Sequence, residues 1–240
     1  MTALIEGPGL TYNRDEMRSL VQHAAAEFEG ADAQHVLAWA AAIFGRGLAV
    51  AASMQDAVVP HLVSRAIRDV DVLFIDTGYH FPETLLTRDR VAAQLPISVR
   101  TLTPTRTVVE QDAVLGANLN QRDPDTCCFL RKVNPLAEAL QGYKAWVGGG
   151  RRVDSPTRAH LPVVAWDHAH DMVKISPIVA WSDADVEGYQ VLHGLPRHPL
   201  IGDGFPSIGC APCTRRVQPG EDARAGRWAG HAKTECGIYG

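Results

Sequence analysis

The sequence has no excess of basic charge. Lys and Arg number 23 against 27 Asp and Glu, a formal net charge of −4. Nonspecific nucleic-acid binding needs a net basic surface, so no nucleic-acid partner is expected. Nor is there an apolar run long enough to cross a bilayer. The most apolar stretch, residues 37–54, is broken by Gly45, Arg46 and Gly47, which argues against a membrane span. The opening residues 1–17 carry neither a basic start nor an apolar core, so no secretory leader is expected and a cytoplasmic setting is the reading. Cysteine is scarce and odd in number, five in all, which does not suit a disulfide framework. A glycine-rich phosphate loop, an internal repeat and a low-complexity tract are all missing. What remains is 240 residues, 46% of them hydrophobic, enough for one substantial core and one or two domains.

Within that chain, apolar runs and amphipathic stretches alternate. Residues 14–29 and 32–44 read as helices, the second with Asp32 as N-cap. Residues 47–52 read as a buried strand, 56–69 as a helix, and 71–76 as a second strand. Pro82 opens a helix to residue 94, since proline suits a first turn. Residues 97–102, 145–147, 161–166 and 172–175 read as further strands. Ser182 caps a helix to residue 192, with Asp185 in its first turn. This order predicts an α/β fold with a doubly wound, mostly parallel sheet, which binds ligands at the carboxyl ends of its strands. From Pro196 onward, Gly, Pro and Arg dominate, and loops with a mobile C-terminal segment are expected. The organisation follows: a helical segment over 1–30, a nucleotide-binding domain over 31–205, and a C-terminal tail over 206–240.

The turn at residues 51–56 joins a strand to a helix, a place where free N–H groups and the positive helix end face an anion. It is equally an ordinary turn with Ser53 or Asp56 as helix cap. The next strand also ends in small and polar groups, Asp76, Thr77 and Gly78, which favours a nucleotide crevice. Four cysteines fall into two pairs, Cys127-Cys128 and Cys210-x-x-Cys213. Four thiolates suit zinc or an iron–sulfur cluster, and spacing alone leaves both open. Adjacent cysteines share one centre only where the backbone bends, as at a helix start, and residues 123–126 supply such a break. Arg131, Lys132, Arg215 and Arg216 follow the two pairs and could balance a negative centre or hold an anion. Cys236 stands apart near the end. His231 and Lys233 would favour its nucleophilic thiolate, whereas Glu235 would oppose it.

Several longer segments carry a resemblance. They are Leu73-Phe-Ile-Asp-Thr-Gly-Tyr-His-Phe-Pro-Glu-Thr84, Cys127-Cys128, Lys174-Ile-Ser-Pro-Ile-Val-Ala-Trp-Ser-Asp-Ala-Asp-Val186, Gly204-Phe-Pro-Ser-Ile-Gly-Cys-Ala-Pro-Cys-Thr-Arg215 and Glu235-Cys-Gly237. Together, and in this order, they resemble the APS/PAPS reductase family from about residue 35 to the end. The resemblance implies an adenine nucleotide α-hydrolase-like fold. It also implies reduction of an activated sulfate to sulfite and AMP, with Cys236 as nucleophile and thioredoxin as reductant. The paired cysteines resemble the branch that carries a [4Fe–4S] cluster on Cys127, Cys128, Cys210 and Cys213 and prefers APS; a PAPS reductase is the alternative. In this reading electrons come from thiols, and the cluster positions and polarises. Ser53 and Asp56 then fall in a modified phosphate loop, Lys132 lies between cluster and substrate, and Arg151, Arg152, Arg224 and Arg227 match substrate-binding arginines. The sequence departs from the family pattern at Ala52, at Gly148-Gly-Gly150 and at Tyr239, which stands where a histidine is usual. A redox sensor without turnover is a reading from another class, and a homo-oligomer is left open.

Overall fold

The computed structural model describes residues 5–6 and 11–238, so Tyr239 lies outside the described residues. Ile5–Glu6 pairs antiparallel with Thr11–Tyr12, and helix α1 (Arg14–Glu27) follows, its N-terminus closed by a reciprocal capping box. The Asn13 side chain accepts the Glu16 N–H while the Glu16 carboxylate accepts the Asn13 N–H. Met17, Val21 and Ala24 share one face and are buried with Phe28 in the main core, the spacing an amphipathic helix requires. The first helix thus packs on the body of the chain. Helix α2 (Ala33–Phe44) follows, with the Asp32 carboxylate accepting the Gln34 N–H at 2.6 Å, the cap expected from the sequence.

Six strands form the sheet: β1 (Leu48–Ala51), β2 (Val70–Ile75), β3 (Ile97–Leu102), β4 (Ala145–Gly148), β5 (Val164–Asp167) and β6 (Met172–Ile175). Their spatial order is β3-β2-β1-β4-β6-β5. Every neighbour pair is parallel except β5 with β6. Strand β4 is buried throughout and β1 nearly so, as expected of central strands covered on both faces. The expected doubly wound, mostly parallel sheet is present. Strand β5 begins at Val164 rather than residue 161, because Pro162 withholds a ladder donor. Helix α3 (Val58–Ala66) is shorter than expected at both ends. The Asp56 carboxylate stays outside it and accepts the Val58 N–H at 3.0 Å.

Helix α4 (Pro82–Gln94) links β2 to β3. The crossover from β3 to β4 contains α5 (Val108–Leu115), α6 (Pro124–Cys128), a π-helical turn over Phe129–Val133, and α7 (Asn134–Leu140). Helix α8 (Asp183–Leu192) follows β6, and Ser182 and Asp185 make the predicted capping box. The chain runs outward through β1, β2 and β3, then returns to β4 on the other side of β1. That reversal is the topological switch point where such sheets bind ligands. Ala51 at the end of β1 pairs with Leu73 on one side and Gly148 on the other, so the turns after β1, β2 and β4 share one rim. After Leu192 the chain has little regular structure. Residues 206–238 form a strap across that rim, stiffened by a bridge between Thr214 and Arg227. No helix among the described residues is long and apolar enough to cross a membrane.

Candidate active site

A cavity of about 530 Å³ opens at the switch point. Its floor is the turn after β1. There Met54 adopts a left-handed backbone (φ 60°) with its side chain wholly buried. Anchoring Met54 turns Ser53, Gln55 and Asp56 into the cavity wall. Gln55 ties this floor to the strap: its Oε1 accepts the Ile208 N–H at 2.8 Å and its Nε2 donates to the Pro206 carbonyl at 3.3 Å. Burial pushes the Asp56 carboxyl up from its ordinary value, against the pull of the Val58 N–H and the Arg151 guanidinium.

Cations crowd the same space. Lys132, Arg151, Arg224 and Arg227 all line it, together with Cys236. Arg151 donates through Nη2 to Asp154 at 2.9 Å and Asp183 at 2.7 Å. Its buried Nη1 has no protein partner, and neither have Arg227 Nε and Trp228 Nε1. Buried donors left unpaired are costly, and an anionic ligand would satisfy them. The Arg227 guanidinium lies 4.5 Å from the Trp228 ring and against Gly209, where a Cβ would collide with it. Burial lowers the pKa of Arg227, with neighbouring Arg224 adding to the effect. Burial also opposes the charge on Lys132, but Cys210, Cys236 and Cys128, once in their thiolate forms, outweigh it and raise its pKa.

Behind this cavity lies a second, small one. Cys127, Cys128, Cys210 and Cys213 line it with Tyr79, Asn120 and Arg131. Lys132 and Cys210 line both cavities and so form the wall between them. The first cysteine pair sits on α6, where the Asp123 carboxylate accepts the Thr126 N–H at 2.9 Å and Pro124 takes the first turn. The expected helix start is thus at Pro124, and Cys127 and Cys128 are the last two residues of this short helix. The π-helical turn that follows re-aims Arg131 and Lys132 to opposite uses. Arg131 is buried as a structural tie, donating to the Thr77 carbonyl and to Gln111 Oε1, and Lys132 faces the cavities. Thr77 in turn contacts Cys210 Sγ at 3.3 Å, which joins the β2 turn to the second pair.

The donor set tests what this small cavity could hold. Burial and the neighbouring cysteine thiols push Cys127 up to about 12. Burial also raises Cys128 and Cys213. Left bare, these thiols stay protonated; a cationic centre would stabilise their thiolates. Among the described residues, however, no three His, Cys, Asp or Glu side chains are gathered so as to hold a metal ion. A single zinc ion needs thiolates roughly 3.8 Å apart, given bonds of about 2.3 Å in a tetrahedron. A multi-iron cluster spreads its thiolates wider around one centre. Four cysteines lining one cavity supply the soft thiolate donors that such a centre requires.

Not every residue singled out in the sequence reaches the cavity. Arg152 points away, forming a fork with Glu29 at 2.6 and 2.8 Å. Arg215 pairs with Glu221, and Arg216 lies over the Phe205 ring. Lys233 pairs with Asp125 rather than facing Cys236, and His231 is exposed. Glu235, expected to oppose the Cys236 thiolate, is paired with Arg158 at 2.6 Å. Arg158 was not singled out; nothing in its local sequence marks it, because its partner lies 77 positions away.

Comparison with known proteins gives a consistent result. A family model described as the phosphoadenosine phosphosulfate reductase domain matches residues 47–216. An adenosine 5'-phosphosulfate reductase of Streptomyces coelicolor is 58% identical, the alignment covering 94% of this chain and 96% of that protein. One of Mycolicibacterium smegmatis is 52% identical over 95% and 97%. Among solved structures, a phosphoadenylyl-sulfate reductase of Candida auris, in a phosphate complex, superposes with a TM-score of 0.69 at 28% identity, over 82% of this chain and 97% of that one. An FMN adenylyltransferase of Candida glabrata superposes with a TM-score of 0.57 at 15% identity, over 82% and 66%. The adenylyltransferase likeness shows a shared fold alone.

Proposed function

Since this chain belongs to the phosphoadenosine phosphosulfate reductase domain family, we propose that it reduces adenosine 5'-phosphosulfate to sulfite and AMP in assimilatory sulfate reduction; the relatives cited above are named adenosine 5'-phosphosulfate reductase. The observation that carries this reading is the meeting of one thiol, Cys236, with Lys132, Arg151, Arg224 and Arg227 in a single cavity at the switch point. A phosphosulfate carries two anionic groups, and cations with unpaired donors are what such a ligand requires.

In this reading the phosphate lies against the Ser53–Asp56 turn and Arg151, and the sulfuryl group lies toward Lys132, Arg227 and Cys236. The Cys236 thiolate attacks the sulfuryl sulfur. The bond from that sulfur to the phosphate oxygen breaks, and AMP leaves with the electron pair. Lys132 and Arg227 balance the charge that gathers on the sulfuryl oxygens and the leaving phosphate. The product on the protein is an S-sulfocysteine. A thiolate of a thioredoxin-class dithiol protein then attacks Cys236 Sγ. Sulfite departs with the electron pair of the broken sulfur–sulfur bond, and the partner's second thiol resolves the mixed disulfide. The strap must open between these two steps. Cys127, Cys128, Cys210 and Cys213 would hold a [4Fe–4S] cluster, which when bound supplies a compact charged centre behind Lys132. The free thiols suit a reducing cytoplasm.

Intact-protein mass spectrometry after anaerobic incubation with APS or PAPS, without reductant, tests this. A sulfonate adduct mapped to Cys236 with APS, and much less with PAPS, is expected. An adduct favouring PAPS would overturn the substrate. No adduct with either, from protein shown to contain its cluster, would overturn the covalent mechanism.

A further inference from the structure

Glu235 immediately precedes Cys236, and its carboxylate is surrounded. Arg158 meets it with a two-pronged fork, Nε to Oε1 at 2.9 Å and Nη2 to Oε2 at 2.6 Å. Ser155 Oγ donates to Oε1 at 2.8 Å and Thr157 Oγ1 at 3.2 Å. Arg224 stands 3.7 Å from Oε2 and donates to the neighbouring Thr234 carbonyl at 2.8 Å. Burial pushes this carboxyl up, but the hydrogen bonds and charge of Arg158 prevail and keep it below the usual glutamate range. Arg158 itself is 8% exposed and sits on the turn after β4, so it belongs to the wall and not to the strap. A planar guanidinium meeting a carboxylate through two parallel bonds sets orientation as well as distance.

The third prong of Arg158 leads to the substrate side. Its Nη1 donates to Asp154 Oδ2 at 3.0 Å. Asp154 Oδ1 accepts from Arg151 Nη2 at 2.9 Å, and the remaining Arg151 nitrogen, Nη1, is the buried donor without a partner. One continuous run of charges therefore extends from the vacant donor of Arg151 through Asp154 and Arg158 to the residue beside Cys236.

We propose that Arg158 is a positioning residue: it seats Cys236 over the substrate by clamping Glu235, and through Asp154 it couples that clamp to the anion held by Arg151. This deepens the proposed function and rests on Cys236 being the nucleophile. The clamp must hold while the thiol attacks and release when a partner thiol needs access. An ion pair between wall and strap can do both, whereas a hydrophobic plug of the same area would resist opening. A fork also explains the choice of arginine, since lysine would offer one point of attachment.

The test uses cluster-loaded protein with Glu235→Gln, Arg158→Gln and Arg158→Lys. Glu235→Gln is close to isosteric and retains an acceptor, so it separates the charge from the fold. Displacement of a reacting atom by about an ångström costs up to ~100-fold. We therefore expect kcat to fall by about tenfold or more in Glu235→Gln and Arg158→Gln, with KM for APS within about threefold and Arg158→Lys intermediate. A second readout is alkylation of Cys236 by iodoacetamide, followed on the Cys236 peptide. Saturating AMP should slow it in the unaltered protein by about tenfold and barely at all in Glu235→Gln. Unaltered kcat together with retained AMP protection in both charge-removing variants would overturn the clamp. So would a loss that appears equally in KM, since that marks general damage to the cavity. Absence of a sulfonate adduct in the unaltered protein would instead overturn the function itself.

Discussion

Two regions face each other across the cavity and are held by different forces. The wall grows from the sheet. Its turns follow β1, β2 and β4, whose backbones are locked into parallel ladders and whose side chains are buried. The strap, residues 206–238, has no strand of its own in the sheet. It is held by Gln55 at one end, by ion pairs to Arg158 and Asp125 at the other, and by the cysteine pair between. Its apolar footholds include Ile238, packed beside the Leu73, Leu136 and Trp146 cluster, and the buried Trp228 and Ile208. Hydrophobic burial and ladders give cooperative stability that is lost only on global unfolding, whereas a few polar ties can open locally at low cost. In the proposed reaction the wall holds the phosphate end of the substrate, and the strap carries the nucleophile together with Arg224 and Arg227.

The largest expected effect breaks the wall. Leu37 on α2 is 1% exposed in the main core and does not line the cavity. Leu37→Ala should cost about 2–5 kcal/mol. Urea unfolding followed by far-UV circular dichroism should shift as one transition, because the strap has nothing else to stand on. A smaller effect sharpens the electrostatics of the sheet edge. Asp167 ends β5 and accepts from Trp146 Nε1 at 2.8 Å and His170 Nδ1 at 2.8 Å. Burial disfavours its charge, but those hydrogen bonds prevail and hold its pKa at about 2, below the usual carboxylate range. A carboxyl depressed in the folded state contributes stability that is present above the unfolded value and lost as pH falls toward the folded one. Asp167→Asn should therefore lose up to about 2 kcal/mol near neutral pH. The gap between variant and unaltered protein should close between about pH 4 and pH 2. A gap independent of pH would assign the effect to packing.

How much of this could be read beforehand follows the same division. The wall was legible because its signals are local. Apolar runs of three to six residues marked β1, β2 and β4, Ser182 with Asp185 marked the start of α8, and Pro82 marked that of α4. The crossover was less so. Thr107 and Glu110 form a capping box for α5, a local signal that the sequence carries, while the π-helical turn after Cys128 has no sequence mark of its own. In the strap, the cysteines, Arg224 and Arg227 stood out through motif, and the structure brings them to the two cavities. Arg152 stood out equally and pairs with Glu29 instead. Arg151 has extended backbone and Arg152 opens a short helical turn, and that change of backbone sends the two side chains to different partners. Glu235 was read beside Cys236 as an opposing charge, because the partner that neutralises it is distant in sequence.

The smallest expected effect tests the strap against the helix of the first cysteine pair. Lys233 pairs with Asp125 and lies 5.7 Å from the Trp228 ring. Its side chain is only 10% exposed, yet that of Asp125 is 81% exposed. A pair with one member in full solvent is screened and contributes about 0–1 kcal/mol. Asp125→Asn should therefore leave the urea midpoint within error of the unaltered protein. It should still free one of the strap's ties, so Cys236 alkylation without ligand should rise a few-fold at low salt, and the rise should vanish near 1 M salt, where the screening length falls to about 3 Å. A shift of the global midpoint by more than about 1 kcal/mol would mean that strap and wall unfold as a single unit in which this pair is buried in effect, and the contrast between a rigid wall and a detachable strap would fall with it.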